Sequence, residues 1–175
     1  MKTLSKFAAV SLIALSVSAL TGCVAPVQYK PSAPVVKTTA DYTAKVAFVG
    51  TDDGFGGKYY QGFSVDVTNN SAQPIKIIWD NTAVAWAGNS SSVLPNGYKI
   101  IDAAAPKAPT IVPPHATVSK EITPSVNVAF RGGNWRYAPL EATTYNVYLG
   151  LNVNGKDVSE GFELNMTALA PVAAK

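Results

Sequence analysis

The stretch Tyr145-Asn146-Val147-Tyr148-Leu149-Gly150-Leu151-Asn152-Val153-Asn154-Gly155-Lys156-Asp157-Val158-Ser159-Glu160-Gly161-Phe162-Glu163-Leu164 reads as a β-hairpin. Tyr145, Val147, Leu149, Leu151 and Val153 stand two apart, so in an extended chain they share one face. Asn154-Gly155 then supplies two residues that tolerate positive φ at the centre of a type I′ turn, the strongest short hairpin signal. A two-residue loop pairs Val153 with Lys156. Stepping outward, Leu151 faces Val158, Leu149 faces Glu160, Val147 faces Phe162 and Tyr145 faces Leu164. A slip of one residue would turn the whole apolar set outward. Glu160 interrupts the pattern, and Gly161 beside it predicts a β-bulge.

The same period of two recurs upstream. Tyr42, Ala44, Val46 and Phe48 form one face, as do Phe63, Val65 and Val67 with Ser64, Asp66 and Thr68 opposite. Asn69-Asn70-Ser71 is turn chemistry. Ile75, Ile77 and Trp79 alternate, Asp80-Asn81 turns again, and a short apolar run follows around Val84 and Trp86. Val93-Leu94 and residues 98–101 flank Pro95-Asn96-Gly97, which predicts a second hairpin turn. Residues 110–112 form a short edge strand ended by Pro113-Pro114. Val118, Lys120 and Ile122 alternate with Thr117, Ser119 and Glu121, a half-exposed strand, and Val126, Val128 and Phe130 follow. No stretch after the first twenty-odd residues carries a helical period. About eight short strands at regular spacing predict an all-β fold, a single immunoglobulin-like antiparallel β-sandwich over 40–169, with a frayed tail over 170–175.

The stretch Val65-Asp66-Val67-Thr68-Asn69-Asn70-Ser71, with Pro74-Ile75-Lys76-Ile77 and Ile111-Val112-Pro113-Pro114, resembles segments of exported immunoglobulin-like domains. It is also similar to segments of small bacterial and prophage-type lipoproteins. The resemblance rests on turn and strand residues and implies a fold, not an activity.

The N-terminus agrees with export. Lys2 and Lys6 precede an apolar, uncharged run over 7–20. Its length suits a signal-peptide core and falls short of the roughly 20 residues of a spanning helix. The run ends in Leu20-Thr21-Gly22-Cys23, which resembles the lipobox of bacterial lipoproteins. The resemblance implies a signal peptide over 1–22 and a lipidated Cys23, held to a membrane by its acyl chains. Val24 stands where an Asp would signal inner-membrane retention, so the resemblance implies an outer-membrane address. Residues 23–39, with Pro26, Pro31 and Pro34, are expected to be a tether reaching at most about 50 Å at ~3.1 Å per residue.

Composition narrows the chemistry. Lys2 and Lys6 leave with the signal and no acid does, so the net charge drops from +3 to +1. Nucleic acid is not implied as a partner. Cys23 is the single cysteine, so an acylated chain has no thiol left for a disulfide or a cysteine metal site. No cofactor is implied. His115, the lone histidine, sits in a Pro-Pro-His turn with no nucleophile or orienting acid legible beside it. No catalytic residue is therefore assigned, and an enzyme is the minor alternative. Asp52-Asp53-Gly54 offers too few oxygens for calcium, so no metal site is assigned. Gly54-Phe55-Gly56-Gly57 lacks the strand–helix context of a phosphate loop.

The candidate binding patch is Arg131, Trp135, Arg136 and Tyr137, in the loop-like Arg131-Gly132-Gly133-Asn134-Trp135-Arg136-Tyr137. Aromatics with Arg in a loop form the composition of interface hot spots. The alternative is that Trp135 folds back over the end of the sandwich. Trp79 and Trp86 are expected in the core. The expected function is a non-enzymatic outer-membrane lipoprotein whose tethered sandwich binds another envelope component, a protein. The alternative is a glycan-binding module using exposed aromatics, with Tyr59 and Tyr60 joining Trp135 and Tyr137.

Overall fold

The Asn154-Gly155 hairpin forms in the register dictated by its turn. The structure, a computed structural model, describes residues 27–169 apart from 53, 55, 56 and 103. In it Val153 stands opposite Lys156, Leu151 opposite Val158, Leu149 opposite Glu160, Val147 opposite Phe162 and Tyr145 opposite Leu164. Asn154 and Gly155 both adopt positive φ, 52° and 78°. The bulge expected at Gly161 is absent, since the pairing runs in unbroken register from Thr144–Asn165 to Val153–Lys156. Glu160 breaks the apolar pattern for a different reason: Lys37 and Tyr42 hold its carboxylate from elsewhere in the chain.

Thirteen strands occur among the described residues. β1 (Tyr29–Pro31) and β2 (Val35–Thr38) precede the long pair β3 (Tyr42–Asp52) and β4 (Lys58–Asn69). Then come β5 (Ile75–Ile77), β6 (Ala83–Trp86), β7 (Asn89–Pro95), β8 (Thr110–Val112) and β9 (Thr117–Pro124). β10 (Val128–Arg131) and β11 (Asn134–Tyr137) precede the hairpin strands β12 (Thr144–Val153) and β13 (Lys156–Ala168).

Every pairing is antiparallel, and one layer runs β2-β3-β4-β9 while the other runs β1-β13-β12-β6, with β5 and then β8 beside β12. β7 belongs to both. Its residues 89–92 pair with β6, and its residues 93–95 pair with β9. A strand that changes sheets is how a sandwich turns its corner. The layers meet through the apolar faces of β3, β4, β12 and β13. The rings of Phe63 and Tyr145 lie 5.6 Å apart across the interface, and those of Phe48 and Tyr145 lie 5.8 Å apart. Val46, Val65, Ile77, Val147, Leu149 and Phe162 complete a single buried core. The fold is thus an all-β, immunoglobulin-like antiparallel sandwich, with no cysteine pair joining its layers.

Three expectations need correction. The tether assigned to 23–39 already contains structure from Tyr29 onward. β1 pairs with the end of β13, β2 pairs with β3, and Tyr29 and Val35 pack against the core. The prolines do not prevent this, because Pro31 ends an edge strand and Pro34 lies between strands, where no ladder donor is needed. Pro95-Asn96-Gly97 does turn, with Tyr98 N–H donating to Pro95 O and Gly97 at φ 96°. No strand returns from it. β9 already occupies that edge of β7, and the chain instead makes a single 3-10 turn at Ile100–Asp102. Val126 lies in another 3-10 turn, Ser125–Asn127, so it does not continue into a buried face with Val128 and Phe130. Residues 1–22, expected to be a signal peptide, Cys23, and residues 170–175, expected to be a frayed tail, lie outside the described residues.

Candidate functional site

β10 and β11 stand apart as a two-stranded ribbon, with Phe130 opposite Trp135 and Val128 opposite Tyr137. Gly132 and Gly133 close it, both at positive φ (58° and 81°), as a two-residue type I′ loop requires. What reads as a loop from its glycines is therefore a hairpin. Alternation sorts it into two faces. Val128, Phe130, Trp135 and Tyr137 share one, and Ala129, Arg131, Asn134 and Arg136 share the other. Trp135 and Tyr137 do project together. Arg131 and Arg136 do not flank them, because their register places them on the opposite face.

An isolated two-stranded ribbon is marginal in water. Here Ala138 N–H donates to Asn127 O at 2.7 Å, extending the pairing at the base. The Gln61 side-chain amide donates to Tyr137 O at 3.0 Å, and Leu140 N–H donates to Tyr60 O at 2.7 Å. Leu140 is buried and pins the exit of the ribbon to the core. The aromatics are not pinned in this way. Phe130 is 59 % exposed, Trp135 39 % and Tyr137 40 %. The Phe130 and Trp135 rings meet edge to face at 5.1 Å, so they cover each other in part, and neither belongs to the buried core. Trp135 does not close the end of the sandwich. Trp79 is fully buried, with its indole N–H donating to Thr110 Oγ1 at 2.9 Å, and Trp86 packs on Tyr145 at the margin of the core.

Tyr60 does not join this patch. It is 8 % exposed and packs edge-on against Phe48. Tyr59 is half-buried next to it on β4. The reason is a true β-bulge, on a different hairpin from the one expected. Val49 pairs with Gly62 and Gly50 with Tyr60, so Gln61 is the extra residue. Bulges re-aim a side chain, and here the amide of Gln61 is turned to the β11 backbone.

Beside Gln61 lies a cleft of about 240 Å³, bounded by β4, the end of β7, the Pro95–Tyr98 turn, β9 and Tyr137. Asn96, Glu121 and Thr123 supply its polar wall, and Val49, Tyr98 and Tyr137 its apolar one. At Gly62 the strands approach so closely that a Cβ would lie 2.2 Å from Ile122 O, so the floor is backbone. None of these polar residues stood out in the sequence. They come from three strands and a turn, and only the pairing of β4 with β9 and of β9 with β7 brings them together.

The remaining candidates stay apart. His115 is exposed at φ 56° in the turn closed by Ala116 N–H to Pro113 O. Asp52 pairs with Lys58 at 3.8 Å across β3 and β4, and Asp53 lies outside the described residues. Among the described residues no three His, Cys, Asp or Glu side chains are grouped to hold a metal ion.

No protein-family model and no curated protein sequence matches the chain. Among solved structures it is similar to the GAE domain of GGA2p from Saccharomyces cerevisiae, at 15 % identity and a TM-score of 0.39, over 80 % of this chain and 100 % of that one. It is also similar to a protein from Archaeoglobus fulgidus, at 10 % identity and a TM-score of 0.33, over 85 % of this chain and 98 % of that one. Overlaps of this size describe outline, not chemistry.

Proposed function

We propose that the chain is a lipid-anchored protein of the bacterial outer membrane that catalyses no reaction and binds a protein of the cell envelope through the β10–β11 ribbon. The observation that carries this reading is the ribbon's apolar face. Val128, Phe130, Trp135 and Tyr137 lie on one side of a hairpin none of whose residues belongs to the buried core. Large, partly exposed aromatic side chains lose little rotamer entropy on binding and bury much apolar area. The polar, Arg-bearing opposite face would remain in water. The address rests on Leu20-Thr21-Gly22-Cys23 and Val24.

A photo-cross-linking residue placed at position 135 in cells tests the contact. A discrete adduct is expected there, and none from position 148, where Tyr148 is exposed on a different strand. The adduct should vanish when Phe130 and Tyr137 are both replaced by Ala. Equal yields from 135 and 148 would reject the ribbon as the contact. A second reading, a glycan-binding module, is favoured by one observation: Tyr137 also borders the cleft.

A further inference from the structure

We infer that the cleft beside Gln61 is a subsite for one neutral pyranose ring of a glycan. The inference deepens the glycan reading and stands independently of the protein contact proposed for the ribbon.

Size comes first. A cleft of about 240 Å³ lies below the roughly 300–1,000 Å³ of sites that enclose larger organic ligands. It suits a single ring, open to solvent where further sugars would continue. Charge comes second. Among the described residues Glu121 is the one charged residue lining the cleft, and neither Lys nor Arg lines it. A phosphate, sulfate or uronate ligand would meet a carboxylate and no cation. A cationic ligand fits poorly too, because a lone solvated carboxylate holds a cation weakly.

A neutral polyol matches the remaining chemistry. Each sugar hydroxyl both donates and accepts. The Glu121 carboxylate accepts only, the Thr123 hydroxyl does either, and the Asn96 amide offers one acceptor and two donors. Gln61 has one N–H committed to Tyr137 O, which leaves its carbonyl and second N–H for a ligand. Val49, Tyr98 and Tyr137, which keep exposed surface, provide the apolar wall for the C–H face of a ring. The backbone that carries these groups is fixed in advance: the bulge places Gln61, and the Asn96 N–H bond to Glu121 O at 2.7 Å ties the turn to β9. Prior ordering of this kind lowers the entropic cost of binding.

The test is an NMR titration of the isotope-labelled full chain, in a detergent without sugar headgroups. The probes are glucose, N-acetylglucosamine and their β-linked dimers, with arginine amide and inorganic phosphate as charged controls. Saturable shifts are expected for the amides of Gln61, Asn96 and Thr123 with at least one sugar at millimolar concentration. Asn96→Ala and Glu121→Gln, both at exposed positions, should each weaken that binding about tenfold. Shifts produced only by arginine amide or phosphate would overturn the assignment, as would shifts confined to the ribbon or none with any sugar. Sugar binding that persists unchanged in both variants would also overturn it. Phe130→Ala separates the two readings, since it should weaken the cross-link from position 135 and leave sugar binding at Asn96 in place.

Discussion

The phenol of Tyr42 donates a 2.8 Å hydrogen bond to Glu160, a residue 118 positions further along the chain. Lys37 reaches the other oxygen of the same carboxylate at 3.1 Å. The three residues sit on β3, β13 and β2, so this contact joins one margin of each layer. The bond from Tyr42 is the main reason the Glu160 carboxyl is held below its ordinary range. Partial burial opposes it, and Lys37 adds to it. A carboxyl held low contributes stability above its unfolded value and loses it as pH falls through the folded one. Glu160→Gln should therefore lower stability by about 1–2 kcal/mol at neutral pH. The gap from wild type should close as the pH is lowered through the carboxylate range. Thermal melts of both proteins across that range check this. A gap independent of pH would show that charge plays no part in the joint.

The turn at Asn154-Gly155 gives a second prediction. Both residues hold positive φ, which a β-branched side chain resists. Gly155→Val should cost about 1–3 kcal/mol through backbone strain, since no atom lies near enough to its Cβ position for a clash. A melting temperature equal to wild type would show that the turn tolerates a different geometry.

The ribbon gives a third. With Trp135 and Tyr137 outside the core, replacing both by Ala should leave the fold intact. The loss should stay below about 1.5 kcal/mol, the order of one aromatic pair. The same double variant should lose the envelope contact by more than about 2 kcal/mol. A melt beside a pull-down with the cross-linked partner measures both. A stability loss of the size expected for core truncation, about 3–5 kcal/mol, would return Trp135 to a structural role.

The anchor gives a fourth. Cys23→Ser should abolish lipidation and leave uncleaved or misplaced precursor, as seen by labelled-fatty-acid incorporation and membrane fractionation. Mature-sized Cys23→Ser protein still in the membrane fraction would refute the lipobox reading. In an enterobacterial host Val24→Asp should shift the protein to the inner membrane on a density gradient.

The hairpin of β12 and β13 was legible in the sequence to the last pair because a two-residue loop fixes register locally. The faces of β3 and β4 were legible because each packs one side on the core. Periodicity was silent about what covers a face. Phe130 and Trp135 alternate as buried residues do, yet their ribbon leaves the main sheet and keeps them outside the core. Glu160 looked like the sign of a bulge because its partners, Lys37 and Tyr42, are more than a hundred residues away. The real bulge at Gln61 carries the same cue as Gly161, a glycine inside a strand at Gly62, so the cue alone did not tell the two sites apart. The cleft was invisible because Gln61, Asn96 and Glu121 meet only through long-range pairing.

β1 pairs Tyr29 with Ala168, so the first strand of the domain begins six residues after Cys23. With an acyl anchor at Cys23, the leash spans at most about 20 Å at ~3.3–3.6 Å per residue, less than half the reach of the full proline-bearing segment. The domain would hover at the lipid surface and could not sample the depth of the compartment. Its encounters would then be lateral, at high effective concentration toward whatever shares that leaflet, and a partner fixed far from the membrane would have to extend to meet it.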